Sequence, residues 1–205
     1  MVNEISEVSR AYSGRAAEYI DLVGSMSAVH PSDLQIVSTW AQTVDGEIID
    51  AGCGPGQWTN FFVEEGLTAR GVDAVPEFIA HARSTHPEVS YTLGNLDALD
   101  AAAGSVGGVL AWFSLIHREP ETVGVALREF GRALKPGGTV LIGFFEGPVV
   151  EQFAHKVTSA YRCSVDDLSA ELTQAGFEVV ESYVRKTTGQ RSHASIIARV
   201  SALDR

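Results

Sequence analysis

The chain has 205 residues, 45% of them hydrophobic and 20% charged, which are ordinary proportions for a globular protein. Acidic residues outnumber basic ones by 26 to 15, and the net charge of −11 argues against nucleic acid and anionic membrane surfaces as partners. Only Arg185, Lys186 and Arg191 form a small basic group.

Targeting and redox signals are also few in the sequence. Cys53 and Cys163 form no C-x-x-C pair, and the N-terminus has no apolar core flanked by basic residues. No run approaches the ~20 apolar residues that a bilayer-spanning helix needs. We therefore expect a cytoplasmic protein without a signal peptide or a membrane span.

Short apolar runs alternate with helical patterns along most of the chain. Residues 4–24 and 32–43 predict two helices ahead of the first strand, with Ser32 or Asp33 near the second N-cap. Strands are then predicted at 47–50, 69–73, 89–93, 107–113 and 139–145, and helices at 58–66, 76–86 and 123–134. This order indicates parallel βαβ units with helices on both faces of the sheet, where ligands bind beyond the carboxyl ends of the strands.

The last third of the chain follows a different pattern. A helix is predicted at 166–176, followed by strands at 177–184 and 194–200. The 9 residues between these strands are too few for a helical crossover, so the last strand is predicted to run antiparallel to its neighbour.

Residues 48–58, IIDAGCGPGQW, predict a strand that ends in a tight turn with three alternating glycines, Gly52, Gly54 and Gly56. The turn lacks the lysine of a phosphate-binding P-loop, and Gln57 stands where the dinucleotide fingerprint G-x-G-x-x-G requires glycine. Pro55 also removes a backbone N–H that a phosphate would use. The turn therefore favours a ligand that needs close backbone contact but few anion donors.

Asp73 ends the second predicted strand, 21 residues after Gly52. A carboxylate at this distance from the turn accepts hydrogen bonds from ribose hydroxyls, and it would repel a 2′-phosphate. The turn and the acid together predict a ligand that contains an adenosine without phosphate.

Five sequence marks occur in one order: IIDAGCGPG at 48–56, GVDAVPEFIAHAR at 71–83, GNLDAL at 94–99, VGGVLAWFSLIH at 106–117 and RALKPGGTVLIGFF at 132–145. In these marks, and in LTQAGFEVVES at 172–182, the chain resembles the class I S-adenosylmethionine-dependent methyltransferases. The resemblance implies an α/β fold: a Rossmann-like, seven-stranded, mostly parallel sheet with the last strand antiparallel and helices on both faces. It also implies one domain at 1–205, with an N-terminal helical cover at 1–45 and an acceptor-pocket insertion at 146–164.

The resemblance further implies which residues bind S-adenosylmethionine and its product S-adenosylhomocysteine. The glycines would line the methionine part, Asp50 would orient the turn, and Asp73 would bind the ribose. Other contacts are implied at the adenine (Ala74, Val75, Asn95, Leu96), the sulfonium (Trp112, Phe113, Ser114) and the carboxylate (Tyr12). Asn95 stands where many relatives have aspartate, and its amide oxygen can still accept from the adenine amino group. Trp58 is a further candidate, although its helical spacing with Phe62 equally predicts a core position.

A small-molecule acceptor is the expected partner, and the resemblance leaves its chemical class open. His117, just after the fourth strand, is the candidate general base, the alternative being a hydrogen-bonded loop histidine. Further candidate acceptor contacts lie in the N-terminal cover and the insertion: Tyr19, Phe153, His155, Tyr161 and Arg162. Arg162 could equally form an ion pair with Asp166. The histidines lack metal-ligand spacing, so we expect no metal.

Two other functions stay open at this point. Gln57 and Pro55 disfavour a nicotinamide-dependent oxidoreductase on a Rossmann-like fold, and a non-catalytic S-adenosylmethionine-binding module would keep the cofactor site without transfer. Stabilisation by NAD but not by S-adenosylhomocysteine would favour the first. Cofactor binding without transfer to any acceptor would favour the second. The sequence makes no prediction of the oligomeric state.

Overall fold

The structure is a computed structural model that describes residues 2–201. Met1 and residues 202–205, the two ends of the domain expected at 1–205, lie outside the described residues. The helices are α1 (Val2–Ser13), α2 (Ala16–Val23), a short 3₁₀ helix (Met26–Ala28), α3 (Pro31–Thr43), α4 (Gln57–Glu64), α5 (Pro76–Thr85), α6 (Pro120–Ala133) and α7 (Val165–Gln174). The strands are β1 (Ile48–Ala51), β2 (Ala69–Asp73), β3 (Ser90–Leu93), β4 (Val106–Trp112), β5 (Leu134–Glu146), β6 (Glu151–Phe153), β7 (Ala160–Cys163), β8 (Phe177–Arg185) and β9 (His193–Val200).

These strands form one sheet in the order β3-β2-β1-β4-β5-β7-β6, with β9 against β5 and β8 beyond β9. Strands β1 to β5 pair in parallel, whereas β9 is antiparallel to both β5 and β8. Besides β4, the long β5 pairs with two more strands, with β9 along residues 139–145 and with β7 at residues 145–146. The predicted mostly parallel sheet with an antiparallel last strand is confirmed.

Two details of the predicted elements are wrong. The sheet has nine strands in the described chain instead of seven, because β6 and β7 pair as an antiparallel hairpin within the insertion at 146–164. The single helix predicted over 4–24 is two helices, interrupted at Gly14 and Arg15. Glycine disfavours a helix interior because its backbone loses more conformational freedom than that of other residues, and the periodicity alone did not reveal the break.

The N-cap of α3 also differs from the prediction. His30 occupies it in place of Ser32 or Asp33, and its Nδ1 accepts the Ser32 N–H at 3.2 Å. Pro31 follows as the first helical residue. An N–H at this position has no acceptor within the helix, so proline loses no hydrogen bond there.

The core lies on both faces of the sheet. Ile48, Leu110 and Leu141 pack against α3 and α4, whereas the neighbouring Ile49 and Val109 pack on the side of α6 and α7. Strands with both faces buried read as continuous apolar runs, which is why β1, β4 and β5 stand out in the sequence. The loops after β1, β2 and β4 therefore meet at one edge of the sheet, the edge where the candidate site lies.

Candidate active site

The glycine loop after β1 is held between two side chains and open at its centre. Gly52, Gly54 and Gly56 all have positive φ angles, of 84°, 52° and 92°, which side chains rarely adopt. A Cβ at Gly52 would lie 2.2 Å from the Ser114 Cβ, and one at Gly56 would lie 2.7 Å from the Tyr91 hydroxyl. At Gly54 the nearest atom would be a ring carbon 4.0 Å away, so the open space begins at Gly54.

The N–H groups of this loop already have partners within the protein. The N–H groups of Gly52 and Cys53 donate to the Val72 carbonyl oxygen, at 2.7 and 3.1 Å. The N–H of Gly54 donates to the Asp73 carboxylate at 2.8 Å. Pro55 has no N–H, and Gly56 donates back to a loop carbonyl at 3.0 Å. The loop therefore offers backbone contact to a ligand without a set of free donors for phosphate.

Asp73 connects the loop to the next helix. Its Oδ2 accepts the Gly54 N–H and its Oδ1 accepts the Val75 N–H, each at 2.8 Å. Burial raises the pKa of this carboxyl, and the backbone donors oppose that rise. Each oxygen has a second lone pair, so the carboxylate is held rigidly and can still accept hydrogen bonds from two adjacent hydroxyls.

Three predicted cofactor residues, Asp50, Gly56 and Trp58, do not line the cavity in front of the loop. Asp50 is buried, accepts the Thr59 hydroxyl at 2.7 Å, and has its pKa raised to about 7 by desolvation. Trp58 lies in the core against Phe62, as the alternative interpretation of its spacing predicted. Gly56 faces Tyr91.

The cavity in front of the loop, here called the first cavity, brings most of the predicted residues together. Its wall includes Tyr12, Tyr19, Gly52, Gly54, Asp73, Ala74, Val75, Asn95, Leu96, Trp112, Phe113, Ser114 and His117. The Ser114 Oγ is buried without a hydrogen-bond partner in the described part of the chain, so a ligand at this wall has a polar atom to meet.

Sequence reasoning missed seven residues of this wall: Val8, Ser9, Phe78, Asp97, Arg118, Thr122 and Val125. Asp97 could have been predicted from the sequence, because it lies two positions after Asn95 in the loop that follows a strand. Its N–H donates to the Asn95 Oδ1 at 3.0 Å, and its Oδ1 lies 2.8 Å from Arg118 Nη1. The Asn95 side chain thus stabilises the turn after β3, and the Asp97 carboxylate lies beside it.

Helices α1 and α2 lie over the first cavity. The Ser9 hydroxyl donates to the Ala74 carbonyl at 2.8 Å, which fixes α1 on the turn after β2. The Tyr12 and Tyr19 rings pack on Phe78, with ring centroids 5.8 and 5.2 Å from it. At the break between the helices, Arg15 donates to the Lys156 carbonyl of the insertion. The cavity is therefore bounded by the N-terminal helices on one side and by the strand ends on the other.

His117 is held in one orientation and one tautomer. Its Nδ1 lies 2.7 Å from the Ser159 carbonyl oxygen, which can only accept, so Nδ1 carries the proton. The Nε2 therefore presents a lone pair, and the Tyr12 hydroxyl donates to it at 2.8 Å. Desolvation by burial lowers the His117 pKa, which favours the neutral imidazole. A neutral Nε2 directed at the cavity can accept a proton.

The predicted acceptor residues of the insertion lie outside the first cavity. The His155 ring centroid is 5.2 Å from that of His117, and Phe153 packs on Phe145 at 5.2 Å. Tyr161 donates to a carboxylate of the loop before α6. Arg162 pairs with Glu151 of the same hairpin instead of Asp166.

Comparison with known proteins agrees with this geometry. Residues 48–138 match a family model described as a methyltransferase domain. The matched stretch contains the glycine loop, Asp73 and His117. Over these residues the chain is a methyltransferase domain, and its fold is that of the S-adenosylmethionine-dependent methyltransferases. The predicted family, fold class and S-adenosylmethionine cofactor are thereby confirmed, and the nicotinamide alternative is set aside.

Relatives of this methyltransferase differ in length and in acceptor. An uncharacterized methyltransferase of Synechocystis sp. is 26% identical over 147 residues, which are 67% of this chain and 69% of that one. A 2-heptyl-1-hydroxyquinolin-4(1H)-one methyltransferase of Mycobacteroides abscessus is 28% identical over 179 residues, 78% of this chain and 77% of that one. The chain spans about half the length of the malonyl-[acyl-carrier protein] O-methyltransferases that it also matches. For that of Erwinia billingiae, the 28% identical match covers 49% of the relative and 62% of this chain.

A solved structure shows the same fold over almost the whole methyltransferase. The 1,6-didemethyltoxoflavin-N1-methyltransferase of Burkholderia thailandensis, with its substrate and S-adenosylhomocysteine bound, matches with a TM-score of 0.79 and 22% identity. The match covers 97% of this chain and 90% of that one. In the described part of our chain, no group of three His, Cys, Asp or Glu residues is placed to hold a metal ion. No helix among residues 2–201 is both long enough and apolar enough to cross a membrane.

Proposed function

We propose that this methyltransferase transfers a methyl group to a small, planar aromatic acceptor, and that His117 takes the acceptor's proton. One observation carries the proposal: Asp73 and the neutral His117 Nε2 lie on the wall of one cavity. The first would position the cofactor and the second the acceptor, so both reactants would meet there.

The wall of the first cavity supports this placement of the cofactor. Asp73 would accept the ribose hydroxyls, and Val75 and Phe78 would pack on the adenine, whose amino group would meet Asn95 or Asp97. The open space at Gly54 would hold the methionine part, and the unpartnered Ser114 hydroxyl would bind one of its polar ends. The cofactor supplies an electrophilic methyl group on a sulfonium.

The residues of the chain would then align and deprotonate the acceptor. Alignment of reacting groups can lower a barrier by ~7–11 kcal/mol, and general-base catalysis adds ~10²–10⁴-fold. The acceptor's O–H or N–H would take the place of the Tyr12 hydroxyl at His117 Nε2 and give its proton to that atom. Burial raises the Tyr12 pKa, so its hydroxyl stays protonated and is itself a poor base.

Aromatic side chains support the assignment of a planar acceptor. Trp112 and Phe113 line the first cavity beside Ser114, and Tyr12 and Tyr19 face them from the N-terminal helices. Rings of this kind bind planar molecules by stacking and edge contacts. The relatives from M. abscessus and B. thailandensis carry names that describe a quinolone and a toxoflavin precursor, both planar heterocycles.

The proposal is tested by assaying S-adenosylhomocysteine release with a panel of phenols, hydroxyquinolines and nitrogen heterocycles. We expect turnover of at least one member, and a loss of ~10²–10⁴-fold in turnover for His117→Ala with unchanged S-adenosylhomocysteine affinity. His81→Ala, on α5, is the matched control and should keep full activity. Unchanged turnover in His117→Ala would exclude the base role. Cofactor binding without transfer to any panel member would favour the non-catalytic module.

A further inference from the structure

A second group of cavities lies beyond Phe113, at the same edge of the sheet. One lies between α3 and the upper ends of β8 and β9, and the other lies beside the loop after β5. The two share Lys186 and His193 in their walls, so we treat them as one surface and call it the basic recess.

The charge balance of the basic recess is opposite to that of the chain. Four basic side chains line it, against two acidic ones. The whole chain has 15 basic and 26 acidic residues, so an even distribution would give an acidic surface here. The basic residues are Arg162, Arg185, Lys186 and Arg191, and the acidic ones are Asp33 and Glu146. Clustered cations of this kind attract an anionic ligand.

Arg185 is the most enclosed of these cations. Its Nη2 donates to Asp33 Oδ2 at 2.8 Å and lies 2.8 Å from His193 Nδ1, so that nitrogen has both of its hydrogens occupied. Its Nε is buried without a partner in the described chain, as is the Oγ of Ser195, which is 2% exposed. Two adjacent strands thus each contribute to the wall of one cavity a residue with an unpaired buried donor, and such a donor is costly.

The basic recess shares a wall with the first cavity. Trp112 and Phe113 line both, and the Phe113 ring centroid lies 4.9 Å from that of His193. Phe113 has a φ of 56°, and among described residues it alone is a non-glycine with positive φ. Backbone strain of this kind concentrates at functional sites. An acceptor that extends past Phe113 would therefore have one end near His117 and the other in the recess.

We propose that the basic recess binds a carboxylate carried by the aromatic acceptor, with Arg185 and Ser195 as its hydrogen-bond donors. The inference rests on the proposed function for the position of the reacting end. A carboxylate offers acceptor oxygens to the Arg185 Nε–H and the Ser195 hydroxyl, and its charge suits the excess of basic side chains. The remaining apolar walls, among them Ile36 and Tyr183, suit the ring that carries the carboxylate.

The test measures dissociation constants for aromatic acids and their neutral amides by calorimetry, with and without saturating S-adenosylhomocysteine. The probe pairs are benzoate and benzamide, 2-naphthoate and 2-naphthamide, and indole-3-acetate and indole-3-acetamide. We expect the acid of at least one pair to bind at least about ten-fold more tightly than its amide. Arg185→Gln should abolish the preference, and Ser195→Ala should reduce it.

Two variants keep the interpretation specific. Arg199→Gln removes the same charge from the far end of β9, where Arg199 pairs with Glu178, and it should leave the preference intact. Ser195→Ala removes a hydroxyl that has no partner among the described residues, so it should fold even if Arg185→Gln unfolds by leaving Asp33 unpaired.

The outcomes separate this inference from the proposed function. No preference for any acid, or an equal loss of preference in Arg185→Gln and Arg199→Gln, would overturn the carboxylate site. A protein that shows either result but still binds S-adenosylhomocysteine and releases it in the acceptor assay would leave the proposed function standing. Acid binding that depends on Arg185 in a protein without transfer activity would contradict the proposed function instead.

Discussion

Asp73 illustrates how one residue can shape a loop and bind a ligand at once. Both carboxylate oxygens already accept a backbone N–H, one from Gly54 in the loop and one from Val75 at the start of α5. The second lone pair of each oxygen can accept a hydrogen bond from a ligand hydroxyl. Loss of either acceptor should therefore disturb the loop and the cofactor together.

Asp73→Asn is predicted to weaken S-adenosylhomocysteine binding by roughly ten- to hundred-fold, because the amide nitrogen cannot accept a hydrogen bond. Calorimetric titration measures the change. Asp100→Asn, at an exposed position after the adenine loop, is the matched control and should bind normally. An Asp73→Asn variant with wild-type affinity would show that the ribose lies elsewhere.

The role proposed for His117 predicts how kcat/KM depends on pH. Burial lowers its pKa below the ordinary histidine value of 6.5, and the base acts only in its neutral form. As pH falls, kcat/KM should therefore decline with a midpoint below 6.5. A pH–rate profile from about pH 5 to about pH 9 measures that midpoint. If the same acid limb persists in the residual activity of His117→Ala, another group causes it.

Some residues of the candidate site could be predicted from the sequence and others could not, depending on their position relative to the strand ends. That Gly52, Gly54, Asp73 and His117 line one cavity could be predicted, because each lies at or shortly after the carboxyl end of a strand. Phe78 was missed because an aromatic residue on a helix gives the same signal in a core as in a cavity wall. Trp58 shows the converse, since it follows the loop in sequence but faces the core.

At the scale of elements, α1 and α2, the first two helices of the N-terminal cover, are held by side-chain contacts. They pack through a small cluster of Ala16, Val75 and Phe78, joined by Tyr12 and Tyr19. Strand β4, in contrast, is buried at every residue except Trp112 and is paired on both sides. An element with few buried apolar contacts opens at a low free energy.

Hydrogen exchange should detect this difference. Amides of α1 and α2 are predicted to exchange much faster than those of β4 and β5 in the free protein, and S-adenosylhomocysteine should slow them selectively because it fills the space beneath Tyr12 and Tyr19. Mass spectrometry of peptic fragments measures both effects, with α7, which contributes no residue to the cavity wall, as the internal control. Equal protection of α1 and α7 by the ligand would contradict a covering role.

The elements themselves were predictable to different degrees. Alternating strands and helices between residues 47 and 145 predicted the parallel sheet, because β1, β4 and β5 contain runs of apolar residues. The hairpin of β6 and β7 was not predictable, since strands of 3 and 4 residues carry no periodicity. Its pairing with the end of β5 depends on tertiary contacts that the local sequence does not encode.

For the whole molecule, the buried Asp50 links stability to pH. Its folded-state pKa is raised to about 7 from 3.8, so the folded state holds this proton more tightly than the unfolded state. The stabilisation is complete below pH 3.8 and is lost as the pH rises to about 7.

Asp50→Asn should remove this slope. The free energy of unfolding of the wild type, relative to that of the variant, is predicted to fall by roughly 1–4 kcal/mol across that range. Urea titrations at several pH values measure it, with the exposed Asp100→Asn as control. A constant difference between wild type and Asp50→Asn would mean that Asp50 titrates normally in the fold.

A crystal structure with S-adenosylhomocysteine would show directly whether the first cavity binds S-adenosylmethionine, and in which orientation. We expect ribose hydroxyl oxygens within about 3.2 Å of the Asp73 carboxylate, with the sulfur beside Phe113 and Ser114 and the adenine on Val75. A ribose that makes no contact with Asp73, or a ligand bound outside the first cavity, would contradict the proposed cofactor placement.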